Sequence, residues 1–343
     1  MHQRIDPAEL TPPILPEVKE AIGEQVARAT GSGAAPGLAG DQAEATGHSV
    51  GGVRQVGQPG KTGLLNLRLE RGVNGRTGLG SRFAKAPLSL SRPLYIDAAR
   101  PHQAHLYVRM TGGGLAENDR VRQIIRLGSS AEATVTTQAA TNVHRMNAGI
   151  ATQWSTFAVG DQAVLEYVPG HTTLYGGSRL VQHTEFQLAP QATLLVVETI
   201  MLGRLARGER HQFELLSQTL RVEQEGRPLL SDITCVIGRG RGTSEMLFGA
   251  WPVWSTLVVV PPVGAGGSAA REKIGQLAAE LVEVASDCAS EAQWGVSTLV
   301  GDSGVLVRVA GMSTREVKKV VDVLYDTARR AVLGAAAVDL RIM

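Results

Sequence analysis

The sequence predicts a mostly β protein with a multi-stranded, stacked-sheet or sandwich-like architecture and two amphipathic helices near its C-terminus. Short strand-like runs recur at roughly 8–12-residue spacing with Gly, Pro and Asn between them, which is typical of all-β folds. Strands and helices do not alternate along the chain, and this argues against a doubly wound parallel sheet. The only two long patterns with a helical period lie in the last quarter of the chain.

The expected strands begin at residue 61. Leu64, Leu67 and Leu69 open the first strand, and shorter pieces follow around Thr77 and at Leu88–Leu90. The remaining expected strands span residues 102–110, 133–137, 152–159, 163–168, 172–175, 184–188, 193–200 and 212–216. Their number and close spacing predict sheets that supply most of the core.

Two helices are expected after the strands. Residues 269–286 carry an apolar stripe at helical spacing, and residues 313–333 carry another. Ser313 and Glu316 form a capping-box pattern at the start of the second helix, and Gly334 stands where many helices end. Between the helices, residues 296–309 predict a β-hairpin. Together these elements predict an α+β part at about 256–343 that packs against the main sheets.

Residues 1–60 differ in composition from the rest of the chain. Residues 31–60 are rich in Gly, Ala, Ser and Gln and hold too few large apolar side chains to offset the entropy of ordering. We therefore expect a flexible extension followed by a β-rich domain at 61–343. One short amphipathic helix at 16–30 is possible in the extension, with docking on a partner as the alternative role.

Bulk properties exclude several classes of protein. A net charge of +2 over 343 residues argues against nucleic acid as the main partner, because nucleic-acid binding usually needs a strongly basic surface. The two cysteines, Cys235 and Cys288, lie far apart, which argues against a disulfide framework or a zinc site. No apolar run approaches the ~20 residues of a membrane span, and no signal-peptide pattern opens the sequence. We expect a cytoplasmic protein.

Three consecutive glycines, Gly112, Gly113 and Gly114, precede Asp119 between two strand-like runs. Glycine visits positive φ readily, so the pattern predicts a tight loop that approaches other backbone closely. A phosphate cradle would need a following Lys-Ser/Thr or a G-x-G-x-x-G motif, and both are missing. Asp119 is then expected on a loop at the rim of a sheet, where functional side chains are often displayed.

Other residues have both a structural and a functional interpretation. Glu198 interrupts the apolar strand LLVVETI, where a carboxylate needs a partner, and Arg204 is the expected one. Glu209 ends the polar stretch GRLARGE, where a lone acid is most often solvated. A water-filled passage can be lined by three further polar residues, Thr136, Thr137 and Gln138. Threonine is, however, also a common strand residue.

Motifs for metal binding or hydrolysis are missing. The eight histidines are scattered without HExxH spacing, so no stable metal site is expected. An enzyme that uses Asp119, Glu198 and Glu209 as acids or bases is the alternative to a binding protein. Such a hydrolase needs two carboxylates that converge in one cleft, and the spacing does not require this.

Five blocks occur in order: GGGLAENDR, TVTTQAATNVHR, LEYVPGHTTLYGGSRL, LVVETIMLGRLARGE and a final LRIM. In this order and spacing the chain resembles the urease accessory protein family UreD, also called UreH, from about residue 61 to residue 343. Departures from the family pattern are Glu198 in place of Asp, Asn142 and His144 in place of Lys and Tyr, and Glu117-Asn118 in place of Gly-Gly.

The resemblance implies a mostly β scaffold without catalytic activity. It implies binding to apo-urease and to a UreF-type helical protein that bridges to a UreG-type GTPase, and help in delivering nickel to urease. No cofactor is expected to bind tightly, while nickel is expected to bind transiently. The residues expected along a nickel passage are Asp119, Thr136, Thr137, Gln138, Glu198, Arg204 and Glu209, with Gly112, Gly113 and Gly114 shaping the loop.

Overall fold

The computed structural model describes residues 60–262, 268–288 and 290–341. The strands in these ranges are β1 (Thr62–Arg71), β2 (Thr77–Lys85), β3 (Leu88–Leu90), β4 (Ala104–Met110), β5 (Arg120–Leu127), β6 (Glu132–Thr137), β7 (Thr141–Val143), β8 (Ala151–Val159), β9 (Val164–Val168), β10 (Thr172–Leu174), β11 (Arg179–Leu188), β12 (Thr193–Met201), β13 (Leu215–Gln224), β14 (Arg227–Ile237), β15 (Val253–Val260), β16 (Gln293–Thr298) and β17 (Val305–Gly311). The helices are α1 (Ser268–Asp287) and α2 (Thr314–Leu333). The predicted fold class is confirmed.

The strands form two stacked sheets. One has seven strands in the order β14-β13-β11-β8-β5-β1-β2. The other has ten, with the path β16-β17-β15-β12-β9-β6-β4-β3, and with β10 and β7 attached beside β12. The main apolar core lies between the sheets, where Phe157 stacks on Phe186 at a ring distance of 4.8 Å and Tyr167 packs against both.

From β4 to β13 the chain winds as a coil between the two sheets. Strands β4, β6, β9 and β12 lie in the ten-stranded sheet, and β5, β8, β11 and β13 lie in the seven-stranded sheet. Neighbouring strands of successive coils run parallel in both sheets. Parallel strands need a long return connection, which is usually a helix. Here a strand of the opposite sheet makes the return, so the parallel pairs arise without any β-α-β alternation.

A four-residue turn recurs where each coil passes to the ten-stranded sheet. It spans Gly128 to Ala131, Gly160 to Ala163, and Ala189 to Ala192. In each turn the last N–H donates to the first carbonyl oxygen at 3.1 Å, and the final alanine is completely buried. The small alanine side chain fits the interior at this corner. The three turns recur at a spacing of about 30 residues, as the units of a repeat protein do.

Two strand predictions are wrong in extent, and four strands, β5, β7, β14 and β15, were not predicted. Strand β11 begins at Arg179 rather than at residue 184, and β13 spans Leu215–Gln224 rather than 212–216. Strand β14 follows β13 as its antiparallel partner. The apolar runs in this region are short because Gln182 and Gln218 stand at interior positions that otherwise hold apolar residues.

The α+β part extends the ten-stranded sheet and covers its outer face. Strands β16 and β17 form the predicted hairpin, and both helices pack with β15 and β17 in a second apolar cluster. Ser313 Oγ accepts a hydrogen bond from Glu316 N at 3.2 Å, and Gly334 ends α2 in the left-handed conformation, as predicted. The Glu316 carboxylate accepts a hydrogen bond from Met312 N, whereas a capping box would have Ser313 N as the donor.

The predicted extension, residues 1–60, lies outside the described residues except for Gly60. Gly60 N donates to Glu117 O at 2.8 Å, and Lys61 N donates to the buried carboxylate of Asp119. Deleting residues 1–59, which spares these contacts, is expected to change the melting temperature by less than about 2 °C. A truncated protein that loses β signal in circular dichroism or melts much earlier would show that the extension contributes to the fold.

Candidate functional site

The triple-glycine loop has the predicted conformation. Gly112, Gly113 and Gly114 have φ values of 113°, 76° and 127°, all in the region that disfavours side chains. A Cβ atom at Gly114 would clash with the carbonyl oxygen of Asn142, and that same oxygen accepts a hydrogen bond from Leu115 N at 2.7 Å. The glycines therefore allow the loop to lie against the segment that carries β7.

Asp119 lies at the end of this loop, but its side chain is completely buried rather than displayed. Its Oδ2 atom forms an ion pair with Lys61 Nζ at 2.8 Å and accepts from Ala116 N at 2.8 Å, while Oδ1 accepts from Lys61 N at 2.7 Å. The carboxylate thus fastens the start of β1 to the glycine loop. This geometry assigns Asp119 a structural contact, and the expectation of an accessible side chain is wrong.

Arg204 and Glu209 form a salt bridge with each other, so the expected pairing of Arg204 with Glu198 is wrong. Arg204 Nε donates a hydrogen bond to the Glu209 carboxylate at 2.7 Å, and Arg204 Nη2 donates a second one. Glu209 also accepts a hydrogen bond from Gly176 N at 3.0 Å. Hydrogen bonds from Arg204 lower the pKa of Glu209 to about 2. The guanidinium lies over the Tyr175 ring at 4.1 Å. These contacts tie the loop after β12 to the loop before β11.

The Thr-Thr-Gln segment places its three residues in different surroundings. Thr136 is buried and donates to Val168 O at 2.6 Å. Thr137 donates to Ala139 O and accepts from Gly170 N, and it lines a cavity between the sheets. Gln138 is exposed at the end of β6. Thr137 is therefore the one member of this trio that contributes to the cavity.

Glu198 is a carboxylate inside the space between the two sheets. It lies on β12 on the same side as Val196 and Ile200, and its side chain is 6% exposed. Thr184 Oγ1 donates to Oε1 at 2.7 Å, and the amides of Gln182 and Gln218 donate to the two carboxylate oxygens at 3.4 Å each. All three donors are neutral. Burial raises the pKa of Glu198, and the nearby charge of Asp232 raises it further.

Glu198 belongs to a polar seam through the otherwise apolar core. We use this term for six of the polar side chains that line one small cavity: Thr137, Gln153, Tyr167, Gln182, Glu198 and Gln218. The three glutamines are neighbours on β8, β11 and β13. The cavity is about large enough to hold one water molecule.

The polar seam presents unused hydrogen-bond acceptors. The side-chain oxygens of Gln153 and Gln182 are buried and have no hydrogen-bond partner among the described residues. Buried polar atoms without a protein partner are commonly satisfied by water or an ion. With the Glu198 carboxylate beside them, these oxygens give the cavity a lining rich in hydrogen-bond acceptors.

An ion pair stands between the seam and the open edge of the two sheets. Arg308 of β17 reaches across to Asp232 of β14, with Nη2 and Oδ2 2.5 Å apart and side chains 37% and 23% exposed. Arg308, Thr256 and Glu198 occupy one register row of the ten-stranded sheet. Polar residues therefore lead from the solvent-exposed edge, past Gln218, to Glu198.

The three acids that an enzyme would need do not share a site. Asp119 contacts Lys61, Glu209 contacts Arg204, and Glu198 contacts Thr184 and two glutamines, so no partner is common to any two of them.

The sequence did not reveal Gln153, Gln182, Gln218, Asp232 or Arg308. The available signal was the set of glutamines at successive coil positions, which becomes visible only when the 30-residue repeat is aligned.

Among residues 60–262, 268–288 and 290–341, no group of three His, Cys, Asp or Glu side chains is placed to hold a metal ion. The helices of the same part of the chain are too short or too polar to cross a membrane.

Comparison with known proteins gives a consistent result. The profile of the UreD urease accessory protein family matches residues 61–343. The chain belongs to the UreD family. It is 34% identical over 292 residues to urease accessory protein UreD 2 of Streptomyces griseus subsp. griseus, an alignment that covers 83% of this chain and 95% of the relative.

Two further relatives also carry the UreD name. Urease accessory protein UreD of Haloarcula marismortui is 33% identical over 283 residues, covering 82% of this chain and 91% of the relative. The protein of the same name from Cenarchaeum symbiosum is 29% identical over 289 residues, covering 83% and 98%. The resemblance to UreD is confirmed, and membership supports a role in urease maturation.

Proposed function

We propose that this protein is a non-catalytic, cytoplasmic scaffold of urease maturation. In this role it binds apo-urease together with a UreF-type helical protein and, through it, a UreG-type GTPase. It also provides a route for nickel toward the urease active site. Membership of the UreD family supports the general role, and the buried Glu198 in the polar seam is the observation that carries the nickel route.

The chemistry of the seam suits passage rather than storage. Nickel binds firmly where several imidazole, thiolate or carboxylate groups converge. The seam offers one carboxylate, amide oxygens and hydroxyl groups around the space of about one water molecule, so an ion that entered would exchange most of its water for these oxygens and meet only one charged ligand. Burial raises the pKa of Glu198 because it disfavours the uncompensated negative charge, and an arriving cation would compensate that charge.

Replacing Glu198 with Gln is expected to lower nickel incorporation into urease by about tenfold, the usual scale for losing one metal-contacting group. The side chain keeps its size and can still accept from Thr184, but it loses the negative charge. Because a carboxylate with a raised pKa destabilises the fold at neutral pH, Glu198→Gln is also expected to melt at the same temperature or higher. The measurements are nickel content and activity of urease matured with each variant, and a melting curve.

Glu185→Gln serves as the matched control because Glu185 lies on β11, the strand of the opposite sheet that carries Gln182 and Thr184, and faces away from the seam. Normal nickel loading by Glu198→Gln would remove the seam from the route. Calorimetric titration of the wild type with nickel provides a second check, with no tight one-to-one site expected. A tight stoichiometric site would replace the passage by a nickel carrier.

A further inference from the structure

Four loops meet at the end of the coil where β8, β11 and β13 begin. Backbone hydrogen bonds join them in series: Met146 N donates to Gly177 O, Gly177 N to Gln212 O, and Gly240 N to His211 O. We call the surface of loops 144–149, 175–179, 202–214 and 238–249 the basic end. These bonds, with the Arg204–Glu209 ion pair, hold the loops as one continuous surface.

Arginines are concentrated on the basic end. They are Arg145, Arg179, Arg204, Arg207, Arg210, Arg239 and Arg241, and the same loops carry only three glutamates, Glu209, Glu214 and Glu245. Three of the arginines are used internally, because Arg179 and Arg239 both bind Glu214 and Arg204 binds Glu209.

The other four arginines, Arg145, Arg207, Arg210 and Arg241, are exposed, and none of them forms an ion pair with a described residue. The whole chain carries a net charge of only +2. The excess of positive charge is therefore local to this surface, and it is not needed to hold the loops together.

An apolar side chain stands among these arginines. Met246 is 92% exposed, and the turn that presents it is closed by bonds from Leu247 N and Gly249 N to Ser244 O. Two residues further on, Phe248 is buried against Trp254 at a ring distance of 5.4 Å and anchors the turn. Arg and Met are enriched in protein–protein interfaces, and the neighbouring Leu247, 37% exposed, adds to the apolar surface that Met246 presents among the arginines.

We infer that the basic end is a docking surface for an acidic protein surface with an apolar pocket that receives Met246. This inference rests on the proposed function, because the partner is then apo-urease or one of the other maturation proteins. A protein fits better than a nucleic acid. The surface also carries three carboxylates, those of Glu209, Glu214 and Glu245, which would repel phosphates. A phosphate backbone also offers no apolar surface to cover Met246.

The test is a charge reversal of the four unpaired arginines in the full chain, R145E/R207E/R210E/R241E. Equilibrium binding is measured to purified apo-urease and to each of the other accessory proteins, at low and at high NaCl. For one of these partners we expect an affinity at least about thirtyfold weaker than that of the wild type, because opposite charges become like charges. Met246→Asp alone is expected to weaken binding to the same partner.

A matched variant, R92E/R126E/R227E/R315E, reverses four exposed arginines elsewhere on the molecule and is expected to bind within about twofold of the wild type. Melting curves check that both variants are folded. Equal losses in the two quadruple variants would mean a general charge effect and would overturn the inference.

Two further outcomes separate the inference from the function on which it rests. If the wild type binds its partners and the charge-reversed variant binds them equally well, the basic end is not the docking surface, although the scaffold role stands. If the wild type binds none of them, the scaffold role itself fails, and the inference fails with it. Loss of binding to duplex DNA, with protein binding intact, would instead assign the surface to nucleic acid.

Discussion

Replacing Arg329 with Ala is expected to lower the free energy of unfolding by about 3–5 kcal/mol, the cost of breaking a buried ion pair from one side. Arg329 lies on α2 and is 1% exposed. Its guanidinium contacts Asp97 Oδ2 at 2.5 Å and Glu166 Oε2 at 2.9 Å, and both carboxylates are buried. Without the arginine, two acids would remain inside the protein without their cation.

The pKa values in this cluster give the expected pH dependence. Burial disfavours the charged forms of both groups, but mutual attraction outweighs it, so the pKa of Asp97 is lowered and that of Arg329 is raised. An acid with a lowered pKa stabilises the fold above its unfolded pKa, and this stability is lost as the pH falls through the folded value. The wild type is therefore expected to lose stability below about pH 4, and Arg329→Ala is expected to lose less over the same range.

Arg330→Ala is the control, because the adjacent residue is exposed and forms an i,i+4 pair with Asp326. A surface pair of this kind contributes about 0.5 kcal/mol or less. Urea unfolding at neutral and acid pH gives the comparison. The double variant Glu166→Gln/Arg329→Met should be more stable than Arg329→Met alone, since it leaves one buried charge fewer. Equal unfolding midpoints for Arg329→Ala and Arg330→Ala would show that the buried cluster does not hold α2 to the sheet.

Local patterns were enough to predict part of this fold. The two helices and the hairpin between them are encoded within about 20 residues each, by an apolar stripe, a cap at Ser313 and a terminating Gly334. The coil was not predicted, because parallel pairing joins residues about 30 positions apart and alternation within a strand does not identify its neighbours. The turns that end in Ala131, Ala163 and Ala192 carry the repeat, and only their alignment reveals it.

The candidate site was predicted in part for a similar reason. Glu198 was recognised because a carboxylate in an apolar strand is unusual, but its partner was assigned to Arg204, six residues away. The actual donors, Thr184, Gln182 and Gln218, lie on strands of the opposite sheet. A glutamine in a strand usually indicates an exposed face, so its presence in the core depends on tertiary packing. The burial of Asp119 likewise depends on Lys61, which is 58 residues away.

Replacing Asp119 with Ala is expected to lower the free energy of unfolding by about 3–5 kcal/mol, because the Lys61 ammonium and two backbone N–H groups lose their acceptor. Glu209→Ala is expected to cost about 1 kcal/mol or less, because its ion pair with Arg204 is partly exposed. The sequence alone predicts instead that both variants stay folded and lower the incorporation of nickel into urease. Melting curves and the nickel content of matured urease distinguish these expectations.

A double variant separates the structural role of Asp119 from a role in the nickel passage. Lys61→Met/Asp119→Asn removes both charges, leaves an oxygen that accepts from Lys61 N, and should recover much of the stability that Asp119→Ala loses. If Asp119 acts only by holding β1 to the glycine loop, nickel loading of urease should recover together with the melting temperature. A variant that regains its stability while urease stays empty of nickel would place the Asp119 carboxylate on the route of the ion. If nickel loading of urease rises and falls with stability across all these variants, Asp119 acts only through the fold. The proposed route would then rest on the seam around Glu198.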